Sequence, residues 1–153
     1  MRSYALQKEK NQIDSLFKDI DSYSGDPYYQ ALLTYYLCIR VSGFIENCVR
    51  IIFLEYSMPN CKRQVKDFVS KKLERFPNPN WAEIVKLVRE FNDQWAIDLR
   101  NSTTPQHRSS ISSIIKNRNN IAHGGTSGIT LRELKNYYLD VIHVVEKLEE
   151  KCV

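Results

Sequence analysis

The chain has 153 residues, of which 42% are apolar. That size and composition suit one folded domain and argue against wholesale disorder. Gly and Pro number five each, too few for a turn-rich sandwich, and the 22 basic and 18 acidic residues leave only +4, a surplus too small by itself to signal a polyanionic partner.

A first helix is predicted from Ser3 to Ile20, with Leu6, Ile13, Leu16, Phe17 and Ile20 on one stripe. It stops at the turn chemistry of Ser22-Tyr23-Ser24-Gly25. Asp26 followed by Pro27 is an N-cap and first-turn signature. It opens a long helix to Tyr56, on which Leu37, Val41, Phe44, Cys48 and Ile52 recur at helical period. Gly43 inside that helix suggests a close approach or a bend. Residues 62–75 read as a short basic helix, either a solvated face or an RNA-backbone contact.

Pro77 and Pro79 break the chain. Asn80-Trp81-Ala82-Glu83 then reads as a capped start, continued by Ile84, Leu87, Val88 and Phe91. Trp81 and Trp95 are expected in the core. Residues 100–107 read as loop. A further helix is expected from Ser109 through Ile111, Ile114 and Ile115 to Arg118, and a last one from the capping box Thr130-Leu131-Arg132-Glu133. No strand-type alternation, internal repeat or boundary appears. The expectation is an all-α helical bundle of four to six helices, with residues 1–153 forming a single domain.

The most apolar stretch, Leu32 to Ile39, is broken by Thr34 and ends at Arg40, too short to span a bilayer. The first ten residues lack the apolar run of a signal peptide. Cys38, Cys48, Cys61 and Cys152 form no Cys-x-x-Cys pair and no zinc-type spacing with His. Buried free thiols in a reducing cytoplasm are expected, with no membrane contact, no metal and no cofactor.

The charge is concentrated. From Leu99 to Arg132 there is no Asp or Glu, while Arg100, Arg108, Lys116, Arg118 and Arg132 contribute +5, so the rest of the chain carries −1. Such a segment suits phosphate contacts. Inside it lies Lys116-Asn117-Arg118-Asn119-Asn120-Ile121-Ala122-His123-Gly124-Gly125. Arg118, the polar Asn119, and His123, with four residues between Arg118 and His123, match the Arg-x(4–6)-His pattern. The string resembles the HEPN superfamily (higher eukaryotes and prokaryotes nucleotide-binding), and in particular its RiboL-PSP-type branch. The apolar helix before the motif, the glycine loop after it, and the paired Tyr137 and Tyr138 of the last helix agree, as does Ser42-Gly43-Phe44-Ile45-Glu46 in the long helix. The pattern is short, and Arg100 to His107 is a second match outside the Ala-His-Gly context.

The resemblance implies a metal-independent endoribonuclease: Arg118, His123 and Asn119 would be catalytic, and a homodimer would bring two motifs into one composite cleft. Cleavage by 2′-OH attack would leave 2′,3′-cyclic phosphate and 5′-OH ends. His suits proton transfer near neutral pH, and the planar Arg fork suits phosphate oxygens. Lys116, Arg108, His107 and Arg100 are candidate RNA contacts. Glu46 either orients Arg118 or pairs with Arg50 four residues on. Many relatives act as toxins or phage-defence effectors, which implies an antitoxin or other partner protein. His123 before two glycines also fits a plain helix C-cap, so a non-catalytic HEPN module binding nucleotide, RNA or protein stays open, as does a plain helical interaction domain. In a straight helix Arg118 and His123 would point about 140° apart.

Overall fold

The computed structural model describes residues 1–59 and 61–152, and these form helices with no strand among them. In chain order they are α1 (Tyr4–Asp21), α2 (Pro27–Ser57), α3 (Arg63–Glu74), α4 (Trp81–Phe91), α5 (Asp93–Asn101), α6 (Pro105–Ala122) and α7 (Leu131–Cys152). The caps read in the sequence are made. The Asp26 carboxylate accepts the Tyr28 N–H at 2.7 Å. Asn80 and Glu83 form a reciprocal box, as do Thr130 and Glu133, whose carboxylate accepts the Thr130 N–H at 2.9 Å.

α2 is the central element, packed against α1, α3, α6 and α7. It buries Leu37, Val41, Phe44, Ile45, Cys48, Ile52 and Phe53. Tyr138 of α7 joins three helices. Its ring stacks on Phe17 at 5.1 Å and meets Phe44 edge-on at 5.4 Å, and its hydroxyl donates to Asp14 Oδ1 at 2.9 Å. Burial, then that carboxylate, pushes its pKa above the usual phenol range. Cys38, Cys48 and Cys152 are buried free thiols, and Cys61 is half-buried.

The backbone departs from expectation in three places, and Trp81 and Trp95, expected in the core, are only half-buried at its edge. Residues 100–107 are not one loop: α5 runs to Asn101, and only Ser102–Thr104 separates it from α6, which starts at Pro105 rather than Ser109. The reason is a Thr104–Pro105 cap-and-first-turn pair, the same signature as Asp26–Pro27. Asn92 breaks what would be one helix into α4 and α5. It is extended (φ −163°, ψ 121°), ends α4, and its side chain caps α5 through the Gln94 and Trp95 N–H groups. The bundle therefore has seven described helices. Gly43 makes no close approach, since a Cβ there would meet nothing within 4 Å.

Candidate active site

α6 is about 27 Å long. Ser110, Ile111, Ile114 and Ile115 anchor it in the core, while Lys116, Asn119 and Asn120 face solvent. Its C-terminus closes with a complete Schellman motif: the Gly124 N–H donates to the Ile121 carbonyl at 3.1 Å and the Gly125 N–H to the Asn120 carbonyl at 2.8 Å. Gly124 supplies the left-handed conformation at φ +76°. A Cβ at Gly125 would sit 3.0 Å from the Asn120 carbonyl oxygen.

His123 is the C-cap residue. Backbone groups make the cap, so the imidazole is not consumed by it. The ring is exposed and bonds to no described residue. The helix runs to Ala122 and the His123 N–H still donates to the Asn119 carbonyl at 3.1 Å, so the wide separation of an ideal helix is largely kept although His123 itself turns out of it (φ −92°, ψ 13°). Arg118 is half-buried and donates from Nη1 to Asn119 Oδ1 at 3.2 Å. No described carboxylate pairs with Arg118 or Lys116. The motif is therefore gathered at one helix end with its charges uncompensated.

The loop after the motif is fixed from two sides. Asn117 Oδ1 accepts the Ser127 hydroxyl at 2.6 Å, and that hydroxyl in turn accepts the Ile129 N–H at 3.2 Å. Tyr35 of α2 donates its hydroxyl to the Ser127 carbonyl and accepts the Ser127 N–H at 3.1 Å. Asn117, Ser127 and Tyr35 were not singled out in the sequence. Their pairing spans up to 92 residues and leaves no local pattern.

Beside Asn119 runs a groove of about 640 Å³ between α6 and the start of α4, lined by Trp81, Ser112, Ile115, Lys116, Asn119 and Asn120 among others. Trp81 is only half-buried, and the Arg108 guanidinium sits 5.5 Å from its ring centroid. Trp95 is also half-buried, edge-on to Tyr56 at 4.9 Å. The groove's far wall follows the Pro77–Pro79 turn, where Glu46 Oε2 accepts the Asn78 N–H at 3.0 Å and the Ser42 hydroxyl donates to Asn78 Oδ1 at 3.2 Å.

Of the other candidate residues, Arg108 stands against Trp81 at the groove, while His107 and Arg100 lie toward the N-terminal end of α6. Arg108 Nη2 donates to the carbonyls of Arg100 (2.6 Å) and Thr103 (3.0 Å), closing the end of α5. His107 completes the N-terminal capping box of α6: its Nδ1 accepts the Thr104 N–H at 3.2 Å. Its ring stacks on His143 at 4.3 Å, with Nε2 3.8 Å from Asp140. Arg100 is exposed at the same corner. Residue 107 is about 24 Å along the axis from residue 123, so the two Arg–His pairs do not converge within one chain. Of the two readings of Glu46, the geometry matches the pairing with Arg50, at 3.0 Å.

An all-α bundle carrying Arg118, Asn119 and His123 at the glycine-terminated end of its penultimate helix defines a HEPN-type domain. The chain belongs to the RiboL-PSP-HEPN family, whose model matches residues 4–153. Comparison with curated proteins and with solved structures gives no match. No described helix is long and apolar enough to cross a membrane.

Proposed function

We propose that the protein is a metal-independent endoribonuclease whose working groups are Arg118, Asn119 and His123. The observation that carries this reading is that neither the His123 ring nor the Arg118 guanidinium is spent on the fold. Backbone amides close α6, and no described carboxylate neutralises Arg118. An uncompensated cation and an unbonded imidazole within the last turns of one helix are groups a phosphoryl-transfer site can use.

In this reading RNA lies in the groove beside Asn119, with Lys116 against a phosphate and the edge of Trp81 near a base. The 2′-oxygen attacks phosphorus and gives up its proton to an imidazole. The 5′-oxygen leaves and takes a proton. The products are a 2′,3′-cyclic phosphate and a 5′-hydroxyl. Arg118 holds the non-bridging oxygens as charge builds on the phosphorane. One His123 cannot hold a proton and supply another in the same step, so a second copy supplies the second imidazole across a homodimer. The exposed Tyr28, Leu32, Tyr36 and Ile39 on one face of α2 are an apolar surface free for such contact. A role as a toxin or phage-defence effector has the family resemblance as its one support.

The test is cleavage of a mixed single-stranded and structured RNA pool in excess EDTA, with product ends typed. Wild type should yield cyclic-phosphate ends, and His123→Ala and Arg118→Ala should yield none while keeping their fold. Salt-sensitive RNA binding without cleavage by folded wild type would instead identify a non-catalytic module.

A further inference from the structure

A second groove lies between α3 and α4, lined by residues that the proposed nuclease site does not use. It encloses about 580 Å³ and joins a smaller hollow of about 250 Å³ through the shared Phe68, Lys72 and Glu90. Its floor is apolar: Val69, Leu73, Phe76, Leu87 and Phe91. Its rim is basic. Lys72 bonds Glu90 at 2.5 Å, and Glu83 is occupied by the Asn80 N–H at 2.8 Å. Lys71, Arg75 and Lys86 are left with no carboxylate partner among the described residues.

α3 itself is poorly covered. This helix of 12 residues fully buries Leu73 alone. Val65 and Phe68, three residues apart on the groove side, are 46% and 67% exposed. An exposed aromatic on an amphipathic helix beside an open apolar floor is the geometry of a docking surface. Charge decides the occupant. Three unpaired cations round an apolar trough fit a ligand with apolar anchors on one side and carboxylates on its flanks. The apolar floor, aliphatic and phenyl side chains alike, offers nothing to hydrogen-bond base edges or riboses, so a nucleic acid lying there would leave those polar groups unpaired.

We propose that the α3–α4 groove binds an acidic amphipathic helix of a partner protein. Leu or Phe side chains at three- and four-residue spacing fill the trough against Phe68, Leu73 and Leu87. Glu or Asp on the helix flanks meet Lys71, Arg75 and Lys86. This assignment is independent of whether the protein cleaves RNA.

The probe is a displayed library of random 16-residue peptides panned on the full chain. The strongest peptide recovered is then synthesised with a fluorescent label and titrated. Phe68→Ser and the double variant Lys71→Glu/Arg75→Glu change only exposed side chains, and circular dichroism checks that they fold. Recovered sequences should interleave acidic residues with Leu or Phe at helical spacing. Each variant should weaken binding about tenfold or more, equivalent to about 1.4 kcal/mol, while His123→Ala leaves it unchanged. No enrichment, or enriched peptides indifferent to both variants, overturns the proposal. Sensitivity to charge reversal without sensitivity to Phe68→Ser also overturns it, because attraction would then need no groove. A labelled 12-nucleotide single strand that displaces the peptide and is itself weakened by the variants would make the groove a nucleic-acid surface instead.

Discussion

Tyr35 and Ser127, 92 residues apart, exchange both of their polar opportunities: the phenol donates to the serine carbonyl and accepts the serine N–H. One side chain of α2 thereby holds the loop that follows His123. Tyr35→Phe leaves two backbone groups without their partner. The expected loss is about 1–2 kcal/mol in denaturant unfolding. Amide exchange at residues 125–129 should quicken while the α2 core stays protected. A variant with unchanged exchange in that loop would show that Asn117 alone suffices to hold it.

Gly124 stands at φ +76°, where a Cβ is penalised. Gly124→Ala should cost about 1 kcal/mol, read as a lower melting temperature. If His123 works as proposed, cleavage should fall by more than the small loss of folded protein explains, because the ring moves with the cap.

Glu46 meets Arg50 and the Asn78 N–H. Glu46→Gln keeps an acceptor for Asn78 and loses the ion pair. Both partners are partly exposed, so the loss should be below about 1 kcal/mol, and if the protein cleaves RNA as proposed, steady-state kinetics should show any change in KM rather than kcat. A fall in kcat with stability intact would return Glu46 to a role on Arg118.

Glu133 accepts the Thr130 N–H and hydroxyl, and these bonds hold its carboxyl below the usual range. The sign follows directly. A depressed carboxylate stabilises the fold above its unfolded pKa of about 4.3, and that contribution disappears as pH falls through the folded value. Glu133→Gln should therefore be less stable than wild type near neutral pH, and the difference should shrink on acidification below pH ~4.

Burial pushes the Cys38 thiol up to about 11 and the Cys152 thiol up to about 12. At pH 8 the thiolate fraction of Cys38 is about one in a thousand. Disulfide-exchange reagents should label half-buried Cys61 quickly and the other three only after denaturation. Rapid reaction of two or more thiols in the native protein would contradict the packing around α2 and α7.

The helices and caps were legible because they are local. Asp26–Pro27, Asn80–Glu83 and Thr130–Glu133 each declare a start within four residues, and the stripes of α1, α2 and α7 follow from period alone. Thr104–Pro105 carried the same signal, but a run of Ser, Thr and Asn outweighed it as loop chemistry. The Asn92 corner was not legible, since one extended residue decides it. Within the site, the Arg118–His123 string could be read. The Tyr35–Ser127 bond, the Asn78 turn and the half-open Trp81 could not, because they depend on which faces of distant helices meet.

Tyr35, Ser42 and Glu46 are spaced by seven and four residues, so all three project from nearly the same side of α2 over about 16 Å. The first grips the loop behind His123; the other two grip the Asn78 turn that leads into α4. α2 thus works as a gauge bar whose marks hold two connections at fixed stations, the one after His123 and the one that leads into α4. Inserting one alanine between residues 36 and 41 would turn the marks about 100° out of register. The two connections would lose their common support even with Arg118, Asn119 and His123 intact.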